Sequence, residues 1–449
     1  MRTSSLPNTP RLGALLAGSA LAALAVAGGS ASPAAAGPPE VTTEQYSSEA
    51  WDCGYPMQVE GEVTSRFLTR PNPHGEGVLA QENVDFSETW TDADGEHFTL
   101  SARFLAKDMR VTSLGGTLYE VTVQQSGQPF VISVDGKVLI RDRGNIRFSF
   151  RTDPESGYFE FLGADASGPH SAFGADLCKL VAPITGNDSA AHHTPRPLGT
   201  TAAGMGYYEY LPPSYGDGGS PLLVVANGYG ENGDGSAERL DWLLVTGIPR
   251  FIDVGGWPLD RPFVVLSTQH IEEPPGLPVD CGEGQWFGSC IMQAQHDLSH
   301  PPQSPCTTPD ELHAFIDYAV ANYDVDPARV YVTGLSCGGF GTWEYLGEYG
   351  DEQVAAAVPI AGDGRPMWGS VGCGLGEVPV WGIHGDQDFE VNPWGTIDTI
   401  EALHSCPGVS EDTAKLSIYE GVDHNAWDPA YSGALGDDIY SWMLSYTRN

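Results

Sequence analysis

The stretch Gly334-Leu335-Ser336-Cys337-Gly338-Gly339, placed directly after the apolar run Val330-Tyr331-Val332, constrains this chain more than any other feature. A strand that ends in G-x-S-x-G and runs on into a helix makes a tight turn that lifts the serine hydroxyl clear of the sheet. With 56 glycines in 449 residues a bare match carries little weight, so its surroundings decide. Upstream, Thr308-Pro309-Asp310-Glu311 is a capping box with proline at the first helical position. Leu312, Phe315, Ile316, Ala319 and Tyr323 follow at helical spacing, and Asp326-Pro327 ends that element. Downstream, Phe340 to Tyr349 reads as a helix and Val354 to Val358 as a buried strand. Helix, strand, turn, helix, strand is the order an α/β sheet needs.

The pattern extends over residues 206–449. Leu222 to Ala226, Phe263 to Leu266, Val378 to Ile383 and Leu416 to Tyr419 are further short apolar runs, mostly separated by helical stretches. Runs buried on both faces predict a mostly parallel sheet with helices on both sides. Residues 40–182 differ. Thr99 to Phe104, Leu118 to Val123, Phe130 to Val134 and Asn145 to Phe150 alternate or run apolar, Asp135-Gly136 and Asp94-Gly95 are turn dipeptides, and no amphipathic helix stands out. That predicts a separate all-β domain, a sandwich or small barrel. Asp92-Ala93-Asp94-Gly95-Glu96 resembles the start of a calcium loop but lacks the later ligands, so it reads as a turn. Residues 183–205 carry Pro183, Pro195, Pro197 and the pair His192-His193 without periodicity, and read as a linker with a solvated histidine pair.

Residues 1–36 read as a signal peptide. Arg2 and Arg11 supply the positive end, Leu12 to Ala27 is apolar or small, and Ala34-Ala35-Ala36 offers a cleavage site. The expectation is a secreted chain with no membrane partner after cleavage. A net charge of −38 repels phosphate backbones and anionic lipids, which disfavours nucleic-acid binding. Eight cysteines in an exported chain suggest disulfides. Cys53 and Cys178, alone in the N-terminal half, would staple that domain; the pairing of Cys281, Cys290, Cys306, Cys337, Cys373 and Cys406 stays open. With no C-x-x-C pair and no histidine at ligand spacing, no metal site is expected among them.

A serine hydroxyl needs an imidazole as base, and the imidazole needs a carboxylate to fix its tautomer. After a G-x-S-x-G turn the usual chain order is nucleophile, acid, histidine. Ser336 is the candidate nucleophile. Past the run Val378 to Ile383 lies His384-Gly385-Asp386-Gln387-Asp388, where an acid projects from a strand's C-terminal end. Asp388 is the candidate acid and Asp386 its rival. His424 follows the last strand, ahead of a terminal helix with Leu435, Ile439, Trp442 and Met443; it is the candidate base. His404 falls inside the helical pattern Thr399 to Ser405, and Asp423, beside His424, should point away from the ring. An oxyanion needs two backbone N–H donors. Cys337 supplies one, and Tyr229 of the loop Asn227-Gly228-Tyr229-Gly230 the other. Together these residues point to a serine hydrolase.

From about Tyr207 onward the chain resembles the secreted α/β-hydrolase esterases grouped with polyhydroxybutyrate depolymerases and prolyl-oligopeptidase-like hydrolases. Six blocks carry the resemblance in order: Leu211-Pro212-Pro213-Ser214-Tyr215, Asn227 to Gly230, Gly282-Glu283-Gly284-Gln285-Trp286, Gly334 to Gly339, His384 to Asp388, and Gly421 to Tyr431. The resemblance implies Ser336, Asp388 and His424 as the triad, an α/β-hydrolase fold over residues 206–449, and hydrolysis of a small or polymeric carboxylic ester through an acyl-enzyme without a cofactor. Two residues depart from the group, which usually has His where Asn227 stands and often Met where Cys337 stands. The first puts that loop's side-chain bonding in question, and the second suggests a disulfide that stiffens the turn. Trp286 and Trp427 are candidate substrate-pocket walls or core residues. Two other readings compete: a prolyl-oligopeptidase-type peptidase, disfavoured because no blade-length repeat appears, and a surface binding module with an inert hydrolase fold, disfavoured by the intact order of Ser336, Asp388 and His424.

Overall fold

The computed structural model describes residues 39–448 except 52, 72–77, 154–157, 170–176, 185–192 and 272–303. The expected signal peptide, His192 and the block around Trp286 lie outside the described residues. The chain divides into two compact units, residues 1–52 with 56–188, and 53–55 with 189–449.

In the first unit, β1 (Glu40–Ala50), β2 (Met57–Pro71), β3 (Val78–Thr91), β4 (His97–Gly115), β5 (Leu118–Val134), β7 (Gly144–Asp153) and β8 (Tyr158–Ser167) pair in chain order, all antiparallel, and β6 (Lys137–Arg141) pairs with β5. Among the described residues this is one continuous sheet, with no pairing between β1 and β8, where the sequence suggests a two-sheet sandwich or a closed barrel. Period-two burial drives it: Val84, Phe86 and Trp90 on β3 and Phe98, Leu100 and Phe104 on β4 are buried, while their neighbours face outward. The runs Leu118 to Val123 and Phe130 to Val134 are a single strand, β5. Gly127, at φ 132°, carries the backbone through the join, where a Cβ would run into the Arg103 carbonyl. Asp135-Gly136 turns the β5–β6 hairpin with both φ values positive. Asp92 Oδ1 accepts from the N–H groups of Asp94 and Glu96, a local turn. A short helix, Leu177–Val181, was not evident from the sequence. Cys53 and Cys178 are both disulfide-bonded.

The second unit is built on an eight-stranded sheet. β9 (Thr194–Arg196), β10 (Gly206–Tyr210), β11 (Ser220–Ala226), β12 (Val264–Gln269), β13 (Val325–Leu335), β14 (Ala356–Ile360), β15 (Val380–Gly385) and β16 (Ala414–Tyr419) lie in the order β16-β15-β14-β13-β11-β12-β10-β9. From β12 to β16 every pair is parallel; β10 and β9 are antiparallel additions at one edge. Part of the expected linker therefore belongs to the sheet. Thr194–Arg196 forms its edge strand, where Pro195 is tolerated and Arg196 pairs with Glu209 at 2.9 Å.

Alternate residues of the central strands enter opposite cores. Leu223, Val225 and Tyr331 pack with Ile248, Phe251, Ile439 and Met443, whereas Leu222, Val224 and Val332 pack with Leu312, Phe315, Trp343 and Ile400. Burial on both faces explains why these strands read as unbroken apolar runs. The helix Pro309–Asn322 starts at the Thr308 capping box, with Glu311 closing it. It ends at Tyr323, earlier than Asp326-Pro327, which already lies in β13. The expected terminal helix is two, Trp427–Ser432 and Ile439–Leu444: Gly433, at φ 79°, stops the first and leaves Leu435 exposed between them.

Candidate active site

β13 delivers Ser336 at the head of the helix Cys337–Tyr349, with φ 51° and ψ −115°. That backbone region is costly for an L-residue and marks a strained turn. The flanking glycines are required by contact. A Cβ on Gly334 would collide with the Gly338 carbonyl, and one on Gly338 with the Ala226 carbonyl. Cys337 opens the helix, so its N–H has no acceptor within it. A Cys306–Cys337 disulfide ties the turn to the residues that lead into the helix Pro309–Asn322.

Asp388 sits in the loop after β15 and is 2 % exposed. Its Oδ1 accepts from the N–H groups of Glu390 and Val391, each at 2.8 Å. Its Oδ2 lies 2.7 Å from His424 Nδ1 and 3.0 Å from His384 Nε2. Burial alone would raise this carboxyl, but the hydrogen bonds from His384 and His424, the charge of His424 and the Val391 amide hold it well below the usual carboxylate range.

His424 hangs from the loop after β16, and its Nε2 lies 3.0 Å from Ser336 Oγ. Burial would lower its pKa; the hydrogen bond and charge of Asp388, with Glu390 and Asp423, outweigh that and raise it above 6.5. The loop is anchored from behind. Asp428 accepts from Gly247 N–H at 2.9 Å and from Asn425 Nδ2 at 2.8 Å, and Trp427 Nε1 donates to Thr246 Oγ1 at 2.6 Å. The Trp427 ring stands edge-on to the imidazole, centroids 5.1 Å apart.

Of the residues singled out by sequence, Ser336, Asp388 and His424 form one hydrogen-bonded chain, with Cys337 beside Ser336 and Trp427 against His424. Tyr229 lies in a short 3-10 turn, Tyr229–Glu231, packed against the cluster of Cys306, Cys337, Phe340 and Val391. Asp386 is elsewhere, its Oδ1 accepting from Gly421 N–H at 2.7 Å. Asp423 turns into its own loop by accepting from Asn425 N–H at 3.1 Å, and His404 Nε2 donates to the Ala414 carbonyl at 2.7 Å. Asn227 answers its own departure from the group: its Nδ2 donates to Gly228 O and Asn232 Oδ1, and its Oδ1 accepts from His270 N–H, all at 2.8 Å.

Sequence reasoning missed two neighbours. His384 is buried against Asp388; the signal available was a lone polar residue inside an apolar strand run. Glu231 lines a small cleft beside Leu335, with Val225, Leu243 and Pro249 as apolar walls. Burial, with Asp428 nearby, pushes its carboxyl up to about 7 despite the Gly228 amide and His424. Its Oε2 and the Ser267 hydroxyl have no hydrogen-bond partner among the described residues.

No family model matches the chain. Over 148 residues it is 28% identical to poly(3-hydroxyalkanoate) depolymerase C of Paucimonas lemoignei, a stretch covering 26% of this chain and 35% of that protein. The chain thus spans about a third of that relative's length. Among solved structures it is similar to a thermostable esterase, at 19% identity and TM-score 0.41 over 85% of this chain and 98% of that one. It is similar also to a prolyl endopeptidase, at 11% identity and TM-score 0.36 over 90% and 82%. The depolymerase is of the kind named in the group that the six motif blocks resemble.

Proposed function

We propose that this chain is an exported serine hydrolase of the α/β-hydrolase type that cleaves carboxylic esters through an acyl-enzyme, its catalytic unit built on the sheet that begins at Thr194. The observation that carries the reading is the chain of contacts Ser336 Oγ to His424 Nε2, 3.0 Å, and His424 Nδ1 to Asp388 Oδ2, 2.7 Å. His424 takes the proton of Ser336 as Oγ attacks the ester carbonyl carbon. The resulting oxyanion is held by the N–H groups of Cys337 and Tyr229. His424 then gives that proton to the departing alkoxide, leaving Ser336 acylated. A water molecule, deprotonated by His424 in turn, attacks the acyl carbon; the bond from that carbon to Ser336 Oγ breaks, His424 returns the proton to Oγ, and the acid leaves. Asp388 stays ionised and steadies the imidazolium. No step calls for a metal or cofactor.

The depolymerase similarity favours a polymeric ester as one substrate, and exposed Phe389 and Trp394 flanking the acid loop offer apolar contact for such a chain. The test is a panel of soluble chromogenic esters and one insoluble polyester. Turnover that disappears in Ser336→Ala, with covalent labelling of Ser336 by a fluorophosphonate, is the expected result. Cleavage of a proline peptide without ester turnover overturns the esterase reading in favour of a peptidase; neither turnover nor labelling leaves an inert binding fold.

A further inference from the structure

Resting on that reading, we propose that His384 is a positioning residue of this site: by donating to the same Asp388 oxygen as His424, it pins the carboxylate and tempers its pull on the base. His384 is the penultimate residue of β15, fully buried beside Val380, Trp381 and Ile383. A buried imidazole in an apolar strand must find partners for both nitrogens. Its Nε2 lies 3.0 Å from Asp388 Oδ2 and 3.1 Å from the Val391 carbonyl. A carbonyl can only accept, so Nε2 carries a hydrogen. Its Nδ1 lies 2.8 Å from Thr396 Oγ1, which is 3.0 Å from the Gly362 carbonyl. A continuous run of contacts therefore leads from Gly362, just past β14, through the helix Trp394–Leu403, to the acid, the base and the nucleophile.

Two consequences follow from the count of donors. Each Asp388 oxygen is held by two N–H groups, so the carboxylate cannot rotate about its Cβ–Cγ bond and its orientation toward His424 is set. The negative charge on Oδ2 is also divided between two imidazoles. The charged groups bearing on His424 are Asp388, Glu390, Asp423 and Glu231, all acidic, and all favour the protonated ring. A base held protonated at working pH cannot take the Ser336 proton. The second donor on Oδ2 is the counterweight. His384 itself faces the Asp388 carboxylate.

The test compares wild type with His384→Leu, which removes the donor, His384→Gln, which keeps an amide donor, and Thr396→Val, which removes the hydroxyl on Nδ1 without touching Asp388. The readouts are the pH profile of kcat/KM on one chromogenic ester and the pH profile of Ser336 labelling by a fluorophosphonate. In His384→Leu the acid limb is expected to move to higher pH by about half a unit or more, with kcat/KM at pH 7 down by up to about 100-fold. His384→Gln should fall between it and wild type, and Thr396→Val should move the limb in the same direction by less. A lower rate with an unmoved acid limb assigns His384 to packing alone and overturns the proposal. If His384→Leu does not fold, the limb must still move upward in His384→Gln and Thr396→Val, or the proposal fails. Wild type that never labels removes the esterase reading and this inference with it; wild type that labels, with variants matching its pH profile, removes this inference alone.

Discussion

Asp388 accepts four N–H groups, whereas Asp386, two residues away, sits on the surface and holds one turn. Exchanging each for asparagine separates the two roles. Asp388→Asn presents the wrong partner to His424 Nδ1 and is expected to lower kcat by about 10⁴, while Asp386→Asn should stay within about twofold, since it neither touches the ring nor is buried. Steady-state rates on a single ester check both. The pKa of His424 is raised, and the base must be neutral, so kcat/KM is lost as pH falls through that raised value; the acid limb belongs above 6.5. Glu231 gives a second pH effect of known sign. Its folded pKa, about 7, exceeds the ordinary 4.5, so the native state holds its proton more tightly than the unfolded chain. The stability this brings is complete below about pH 4.5 and is lost as pH rises through about 7. Glu231→Gln keeps the shape without the charge. Its melting temperature relative to wild type should therefore rise more at pH 8 than at pH 4.5; an equal difference at both would show that the carboxyl pays no burial penalty.

At the level of elements, the nucleophile turn was legible because its cause is local. Gly334 and Gly338 are there to avoid neighbouring carbonyls, and Thr308 with Glu311 closes a helix start, both written in a few adjacent residues. The acid and base loops were legible by position, each following an apolar strand run. What was illegible depends on partners far along the chain. His384 looks like any polar residue until Thr396 and Asp388 are beside it, and Thr194–Arg196 looks like linker until β10 offers an edge. The N-terminal alternation revealed strands but not that they join into one sheet, because register across long strands is not encoded in any single run. Disulfide pairing was open for the same reason. Cys306 meets Cys337 at the nucleophile turn, while Cys373 meets Cys406 across a 3-10 turn and the end of the helix Trp394–Leu403. Each bond should contribute about 2–5 kcal/mol, yet only the first holds a backbone amide of the proposed oxyanion site. Replacing Cys306 and Cys337 by alanine should lower both the melting temperature and kcat. Replacing Cys373 and Cys406 should lower the melting temperature and leave kcat within about twofold. Thermal unfolding and ester kinetics on the two double variants check this, and equal kinetic losses would mean that the Cys306–Cys337 bond acts only on stability.

Across the whole chain the dominant quantity is charge. Asp and Glu number 59 against 21 Lys and Arg, and the hydrogen-bonded groups of the candidate site are themselves mostly acidic or neutral. A net charge of −38 on 449 residues leaves many uncompensated negative charges of one sign on the folded chain. The screening length is about 30 Å at 0.01 M salt and about 3 Å at 1 M. In dilute buffer each charge therefore feels its neighbours, and the compact state holds them closer than the unfolded chain does. Added sodium chloride should raise the melting temperature between those two concentrations at pH 7. Specific ion effects on apolar surface could raise it too, so the discriminating measurement is the same titration at about pH 4, where many carboxylates are protonated. Self-repulsion requires the salt response to shrink there. A response as large at pH 4 as at pH 7 would mean that salt acts on apolar burial, and that the acidic surface leaves stability untouched.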